Sequence, residues 1–271
     1  MSRRLQIGII TGALLIAAVA VLLLTRSGPT IDVALAWTLE DGCPDAVLIG
    51  AAGSGQREDI LGVGPQVESA VSAFSEHLMA ESSKSVSVGF TALDYSAPGI
   101  IEGALQALLG DTMFDSIEEG RTALISLIGE IDSQCDGSVI YLIGYSQGAA
   151  VVHTALVDMP QEYRPVIAGS AVLANPYRDA DDPNAQHFTN EPDPDRPGEP
   201  APHTRDGSLT GLPLPDWVSG SLYSACAQRD AVCNFALRDL LVTDVAHTEA
   251  TYNGLGPQLG QLLADDLIEQ L

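Results

Sequence analysis

The chain has 271 residues, of which 46% are hydrophobic and 18% are charged. This composition excludes a disordered tail and a coiled coil, and the length suffices for one substantial core. The formal net charge of −24 excludes nucleic acid as a partner, because such a surface repels phosphate backbones.

A long uncharged run near the N-terminus predicts export. Arg3 and Arg4 precede 18 residues without a charge, residues 7–24, and Arg26 follows them. A helix of that length nearly crosses the hydrocarbon layer of a membrane, and the run does not end in a small-x-small cleavage site. We therefore expect residues 5–24 to anchor the protein in the membrane, with the basic end in the cytoplasm and the remainder exported to the cell envelope. A cleaved signal peptide, which would give a secreted protein, is the alternative.

This anchor divides the chain into three segments. Residues 1–26 form the anchor or signal peptide, residues 27–40 a linker, and residues 41–271 one exported domain. Residues 27–271 hold nine basic and 36 acidic residues, which gives a net charge of −27. Such a charge belongs either to an ordinary soluble surface or to a protein adapted to high salt, where screening weakens the self-repulsion.

Short apolar runs alternate with helical patterns along the exported domain. Near-continuous apolar runs indicate buried strands over residues 46–50, 86–93, 138–144, 166–173 and 219–225. Apolar residues at helical spacing indicate helices over residues 67–80, 116–131, 148–157 and 258–271. The alternation predicts an α/β fold in which helices cover both faces of a mainly parallel sheet, that is, a three-layer α/β/α architecture.

Residues 178–207 differ from the rest of the domain, because Asp, Pro and Asn dominate them and apolar residues are nearly absent. We expect this acidic segment to be a solvated surface loop between the fourth and fifth strands. Two alternatives remain open: a partial lid over a site, and a calcium site formed by Asp179, Asp181 and Asp182. No EF-hand spacing supports the calcium site.

A G-x-S-x-G motif marks the candidate nucleophile. Residues 144–148 (Gly-Tyr-Ser-Gln-Gly) directly follow the most apolar predicted strand and directly precede a predicted helix. That setting is typical of the nucleophile elbow, in which a tight turn holds the serine outward at the carboxyl end of a sheet. The helix N-terminus behind the serine favours developing negative charge. Ser146 is therefore the candidate nucleophile for acyl transfer.

A nucleophilic serine needs a base, and this class of fold places the histidine after the serine and the acid in the chain. His247 follows the fifth predicted strand and precedes the last helix, as a base-bearing loop should. His153 lies on the helix behind Ser146 and would point away from it. His187 and His203 lie in the acidic segment. His247 is therefore the candidate base.

The candidate acid is Asp230, which lies between Cys226 and Cys233. A small loop closed by a disulfide would fix a carboxylate in place. Asp239 and Asp244 are alternatives, although both resemble exposed loop charges.

Donors for an oxyanion are expected at two positions. The backbone N–H of Gln147, directly after the nucleophile, should be one donor. The second should come from the loop after the first strand, residues 51–56, in which Ser54 could add its hydroxyl. A plain Gly/Ser turn is the alternative interpretation of this loop.

Four cysteines in an exported domain suggest two disulfides, for which three pairings exist. Cys226 and Cys233 are close in sequence, and a local pair between them would leave Cys43 with Cys135. A metal site is less well supported, because no CxxC motif is present and no histidine lies near two cysteines.

The nucleophile and acid motifs resemble those of the cutinase family. Residues 144–149 (Gly-Tyr-Ser-Gln-Gly-Ala) look like the family's nucleophile motif. Residues 226–233 look like its acid loop, in which an aspartate lies between two cysteines. This acid loop is the most specific part of a resemblance that covers residues 40–271.

The histidine region, the oxyanion loop and the other two cysteines fit the same family. His247, followed by Tyr252 and a terminal helix, is similar to the family's histidine region. Ser54 falls where the family has its oxyanion serine. Cys43 precedes the first predicted strand and Cys135 precedes the nucleophile strand, which matches the family's other disulfide.

The resemblance implies a small α/β-hydrolase with a five-stranded, mainly parallel sheet. It implies Ser146 as nucleophile, His247 as base and Asp230 as acid. It further implies Ser54 and Gln147 as oxyanion donors. No metal or cofactor is implied, and the bacterial members that the chain resembles are exported or membrane-anchored proteins of actinobacteria.

These inferences together predict a monomeric serine esterase that hydrolyses carboxylic esters. Short- to medium-chain esters, lipids and polyesters are the candidate substrates. An envelope-lipid lipase, a phospholipase or a thioesterase would use the same triad and is the main alternative. An anchored, non-catalytic binding protein is a second alternative, and nothing specific favours a protease. Five apolar residues either form a rim for an acyl chain or pack in the core: Ile100, Ile101, Leu237, Leu240 and Leu241.

Overall fold

Seven parallel strands form the main sheet of the protein. The structure, a computed structural model, describes residues 29–99, 111–189, 192–193, 196–200, 205–209, 211–227, 230–235 and 247–271. In chain order the strands are β1 (Ile31–Ala34), β2 (Ala46–Ala51), β3 (Val86–Ala92), β4 (Val139–Tyr145), β5 (Ile167–Leu173), β6 (Gln186–Phe188), β7 (Pro192–Asp193), β8 (Arg196–Pro200) and β9 (Leu222–Ala225). The main sheet has the order β1-β3-β2-β4-β5-β9-β6, while β7 and β8 form a separate antiparallel pair.

The central strands are buried, because near-continuous apolar runs suit a sheet that is covered on both faces. All six residues of β2 are buried, and its Ile49 is paired with Thr91 of β3 and Leu142 of β4. Neighbouring strands of the main sheet run parallel throughout. Their carboxyl ends therefore share one edge of the sheet, which is where open α/β sheets bind ligands.

Two layers of helices cover the sheet. The helices are α1 (Pro65–Glu81), α2 (Asp111–Gln134), α3 (Gln147–Asp158), α4 (Glu249–Tyr252) and α5 (Leu255–Gln270). On one face, Phe74 of α1 and Leu263 of α5 belong to one apolar cluster with Tyr141 of β4. On the other face, Ile128 of α2 belongs to a second cluster with Leu142, together with much of α3. The predicted three-layer α/β/α architecture is confirmed.

The main sheet has seven strands, so the prediction of five is wrong. The two additional strands, β1 and β6, are edge strands of four and three residues. Neither contains the near-continuous apolar run that marks a buried strand, because an edge strand is short and carries polar residues. β1 lies within residues 27–40, and so does Trp37, of which only 4% is exposed. The segment predicted as a linker therefore contains an edge strand of the sheet and a buried tryptophan.

The acidic segment is more than a solvated loop, because it contains the edge strand β6. It also contains Arg178, which is 2% exposed and donates from Nη1 to the carbonyl oxygens of Arg205 (2.6 Å) and Cys233 (3.2 Å). Arg178 thus ties the start of the segment to its end and to the acid loop. The sequence predicts a loop here because the apolar residues of the segment are too few to show periodicity. No group of three or more His, Cys, Asp or Glu residues in the described ranges could hold a metal ion, so the calcium alternative is not supported.

Both disulfides are present. One lies at the amino ends of the strands and the other at their carboxyl ends. Cys43, which precedes β2, pairs with Cys135 after α2, and Cys226, which follows β9, pairs with Cys233. The predicted anchor, residues 5–24, lies outside the described residues. Among the helices that are described, none has the length and apolarity needed to cross a membrane.

Candidate active site

The turn between β4 and α3 presents Ser146 at the carboxyl edge of the sheet. Ser146 has φ 53° and ψ −114°, a conformation that L-residues rarely adopt. Its N–H donates to the carbonyl oxygen of Leu173 at the end of β5, 2.9 Å away. A Cβ at Gly148 would lie 2.1 Å from the carbonyl oxygen of Ala51, and one at Gly144 would lie 2.4 Å from that of Gly148. Both glycines are therefore needed, as the motif predicts.

The three residues predicted as a triad are joined in series by two hydrogen bonds, with His247 in the middle. His247 Nε2 lies 2.9 Å from Ser146 Oγ, and His247 Nδ1 lies 2.7 Å from Asp230 Oδ2. Ser146 is 8% exposed and Asp230 is fully buried, whereas the side chain of His247 is 15% exposed. The serine and histidine thus keep a small exposed fraction, whereas the acid has none. The arrangement can transfer a proton between a hydroxyl and an imidazole.

The acid loop after β9 holds Asp230 by backbone hydrogen bonds. The Asp230 N–H donates to the carbonyl oxygen of Ala227 (3.0 Å), and the Asn234 N–H donates to that of Asp230 (2.8 Å). The Val232 N–H donates to Asp230 Oδ1 at 2.9 Å. One carboxylate oxygen is therefore fixed from within the loop, which leaves Oδ2 for the histidine.

Two tyrosine rings enclose the histidine and the acid. The ring of Tyr145 stacks on His247 with 5.0 Å between centroids and an interplanar angle of 17°. The hydroxyl of Tyr252 donates to Asp230 Oδ2 at 2.6 Å, and Tyr252 is fully buried. Burial and the nearby charge of Asp230 raise the pKa of both tyrosines, so both remain protonated. The sequence pointed to Tyr252 as part of a family pattern but assigned it no contact, because it lies 22 residues from its partner.

The loop after β2 brings Ser54 next to the first turn of α3. Ser54 Oγ donates to Gln147 Oε1 at 2.7 Å. The loop is held from the side by the hydroxyl of Tyr95, which donates to the carbonyl oxygen of Ala52, and by the Gly55 N–H, which donates to that of Ala97 (2.9 Å). The N–H groups in the first turn of a helix have no partner within the helix and carry partial positive charge. This region can therefore stabilise an anion.

The other candidate histidines that are described lie away from Ser146. His153 is buried on α3, where its Nε2 donates to the carbonyl oxygen of Leu212 (2.8 Å) and its Nδ1 accepts from Asn175 Nδ2 (3.0 Å). Burial lowers the pKa of His153, which fits the neutral ring that these contacts require. His187 lies on β6, and burial likewise lowers its pKa. His203, Asp239, Asp244 and the five apolar rim candidates lie outside the described residues.

A comparison with models of protein families identifies the family of this chain. The model of the family described as cutinase matches residues 42–253, most of the chain. The chain belongs to the cutinase family. The resemblance in the motifs is thereby confirmed, and this family consists of serine esterases. Our cutinase-family chain is 29% identical to Cutinase CUT1 of Coprinopsis cinerea over 139 residues, which are 51% of this chain and 60% of the relative. The chain thus spans about three fifths of the length of this curated relative.

Solved structures share the fold of this cutinase-family chain. The catalytic core domain of acetyl xylan esterase from Trichoderma reesei aligns with a TM-score of 0.56 at 18% identity, over 85% of this chain and all of that one. A cutinase-like protein from Cryptococcus sp. aligns with a TM-score of 0.54 at 18% identity, over 82% of this chain and 96% of that one. These alignments confirm the predicted α/β-hydrolase fold.

Proposed function

We propose that the protein is a serine carboxylic ester hydrolase in which Ser146 is the nucleophile, His247 the general base and Asp230 the acid that orients the base. The observation that carries this proposal is the unbroken series of hydrogen bonds from Ser146 through His247 to Asp230, at the end of a strained turn. Such a series activates a hydroxyl for attack on an acyl carbon. Membership in the cutinase family supports an ester as the substrate.

The hydrogen bonds of His247 define its catalytic form. When Nδ1–H donates to Asp230, the lone pair of Nε2 points at Ser146 Oγ. His247 takes the serine proton as Oγ attacks the ester carbonyl carbon, and it gives that proton to the alcohol that leaves. A water molecule then attacks the acyl-enzyme, His247 takes a proton from the water, and Ser146 regains it as the acid is released.

The oxyanion formed in both steps needs donors, and we assign the backbone N–H groups of Ser54 and Gln147 to this role. The side-chain hydrogen bond between these two residues supports the assignment, because it holds the loop after β2 against the first turn of α3. The positive end of the α3 dipole adds to the stabilisation of negative charge at this point.

The wider setting is part of the same proposal. We propose an exported monomer in which residues 1–26 act as an anchor or signal peptide, as expected for anchored actinobacterial members. The two disulfides support an oxidising compartment. Short- to medium-chain esters, lipids and polyesters are the proposed substrates. An envelope lipase, a phospholipase or a thioesterase with the same triad would differ in acyl-chain or leaving-group preference.

The first test is hydrolysis of p-nitrophenyl esters, from acetyl to palmitoyl, by the oxidised full-length chain at low and high salt. Ser146→Ala should lower kcat/KM at least about a thousandfold, because removal of the nucleophile leaves only binding and oxyanion stabilisation. Ser75→Ala is a matched control, since Ser75 is also 8% exposed and its Oγ donates to the carbonyl oxygen of Val71 within α1. It should leave kcat/KM unchanged. Equal activity of wild type and Ser146→Ala, or no activity on any ester from a folded sample, would refute the proposal.

A further inference from the structure

The hydroxyl of Tyr252 has its single proton directed at the acid of the triad. Asp230 Oδ2 lies 2.6 Å from the tyrosine oxygen, and the same Oδ2 lies 2.7 Å from His247 Nδ1. The backbone N–H of Ala227 lies 3.2 Å from the tyrosine oxygen and can only donate to it. The remaining neighbour, Cys233 Sγ at 3.4 Å, is a weak acceptor in a disulfide. The phenol proton therefore belongs to the hydrogen bond with Asp230.

The Asp230 carboxylate, which accepts this hydrogen bond, is not accessible to water. Asp230 is fully buried, so its charge depends on hydrogen bonds from the protein. Apart from His247, the donors found among the described residues are the Val232 N–H on Oδ1 and the Tyr252 hydroxyl on Oδ2. Tyr252 is thus the only side chain described there that shares Oδ2 with the histidine.

We propose that Tyr252 is a positioning residue of the esterase: it holds Oδ2 of Asp230 toward His247 and takes up part of the negative charge on that oxygen. This inference rests on the proposed function. A carboxylate oxygen that accepts two hydrogen bonds binds each proton less strongly than one that accepts a single bond. The hydroxyl therefore moderates how firmly Asp230 holds a proton on the imidazole.

Other groups around His247 could also change the pH at which its ring gains a proton. Tyr145, at the end of β4, stacks on the ring, and Ser146 lies on the opposite nitrogen from Asp230. Arg178 is a cation that interacts electrostatically with Tyr252, and its Nη1 donates to the carbonyl oxygen of Cys233 in the acid loop. The contacts of Tyr145 and Ser146 with the imidazole do not involve the Tyr252 hydroxyl, so its removal leaves them in place.

Removal of the hydroxyl in Tyr252→Phe gives three expected results. First, kcat falls about tenfold, which corresponds to about 1.4 kcal/mol, because one charge-assisted hydrogen bond no longer fixes the acid. Second, KM changes little, since Tyr252 is buried beneath the triad and does not reach a substrate. Third, the acidic limb of the pH profile of kcat/KM moves to higher pH. The reason is that Asp230, which then accepts one hydrogen bond fewer, keeps the His247 imidazole protonated to a higher pH.

Tyr223→Phe is the matched control. The Tyr223 hydroxyl also donates to a carboxylate, the two oxygens of Asp266 at 2.8 and 2.9 Å, and Tyr223 is 5% exposed. The pair joins β9 to α5, away from Ser146. Tyr223→Phe therefore also removes a phenol–carboxylate hydrogen bond and should lower only the Tm, whereas Tyr252→Phe additionally leaves the Ala227 N–H without its acceptor. A Tyr252→Phe protein that differs from wild type in Tm alone, as this control does, would show a purely structural role and overturn the proposal.

Two further measurements keep the outcome clear. Replacement of Tyr252 by 3-fluorotyrosine preserves the shape of the ring and makes its hydroxyl a stronger hydrogen-bond donor. The acidic limb of the pH profile of kcat/KM should then move to lower pH. This measurement can be made even if Tyr252→Phe does not fold. The titration midpoint of the His247 ring protons, followed by NMR in Ser146→Ala with and without Tyr252→Phe, needs no turnover. An upward movement of this midpoint supports the positioning role even where every ester assay fails, and an unchanged midpoint overturns it.

Discussion

The close approach of Gly148 to β2 makes a sharp prediction for Gly148→Ala. The added Cβ would lie 2.1 Å from the carbonyl oxygen of Ala51, 2.5 Å from its carbonyl carbon and 2.6 Å from the carbonyl oxygen of Ala52. Real Cβ contacts essentially never fall below 3.0 Å. All three atoms belong to the backbone, so no side-chain rotation can relieve the contact. The strand and the elbow must separate by about an ångström, which is a large shift in a close-packed interior.

The magnitude follows from what that separation disrupts. Insertion of a methyl group into a well-packed core typically costs about 1–3 kcal/mol. Because backbone atoms are displaced, we expect Gly148→Ala to lie at the upper end, about 3 kcal/mol, which is a large share of a typical stability of about 5–15 kcal/mol. The same shift moves the start of the loop that carries Ser54 away from Gln147. We therefore expect kcat for p-nitrophenyl esters to fall as well.

Urea unfolding of the oxidised protein, followed by circular dichroism, measures the first effect, and ester hydrolysis measures the second. Gly254→Ala is the control, because its Cβ would meet nothing within 4 Å and its φ of −95° suits alanine. It should change the free energy of unfolding by less than about 0.5 kcal/mol. A Gly148→Ala protein as stable and as active as this control would refute the reasoning.

Two other predictions concern pH and the disulfides. Burial lowers the pKa of His153 from 6.5, so as the pH falls the unfolded chain binds a proton at this residue before the folded chain does. The free energy of unfolding should therefore fall as the pH drops below about 6.5. The contribution of this group is at most about 1.4 kcal/mol per pH unit. His153→Gln should remove that part of the slope in urea titrations compared at several pH values, and an unchanged slope would contradict it. Removal of the Cys226–Cys233 bridge should cost about 2.5 kcal/mol of stability and also lower kcat, because its loop carries Asp230. Removal of the Cys43–Cys135 bridge should cost about 4.6 kcal/mol and leave kcat unchanged; a loss of kcat in that variant alone would oppose our view of the acid loop.

Buried elements and local motifs were the predictable part of this protein. The strand over 139–145 and the helix over 147–158 followed from an apolar run, two glycines and a serine, because close packing at the elbow restricts residue choice at each position. Asp230 and His247 followed from their order in the chain and from the cysteines around the acid. These signals are local, so one sequence contains them.

Features that depend on distant contacts were not predictable. β6 pairs with β9 across a long stretch of polar chain, and its three residues carry no periodic signal. In the sequence, nothing distinguishes Arg178 from the other charged residues of the acidic segment, yet it is buried against carbonyl oxygens 27 and 55 residues away. The hydroxyl of Tyr252 meets its carboxylate only because the chain folds back after β9. Contacts with backbone acceptors and the directions of side chains produce no recognisable pattern in the sequence.

The parallel arrangement of β1 has a consequence for how the active site faces its surroundings. β1 begins at Ile31, level with the amino ends of β3, β2 and β4, whereas Ser146 follows the carboxyl end of β4. A strand of seven residues such as β4 spans about 23 Å at about 3.3 Å per residue. The chain thus enters the domain on the side opposite the nucleophile. Whatever holds the chain at its entry into β1 therefore lies at the amino ends of the strands and leaves the edge that carries Ser146 free for a substrate to approach.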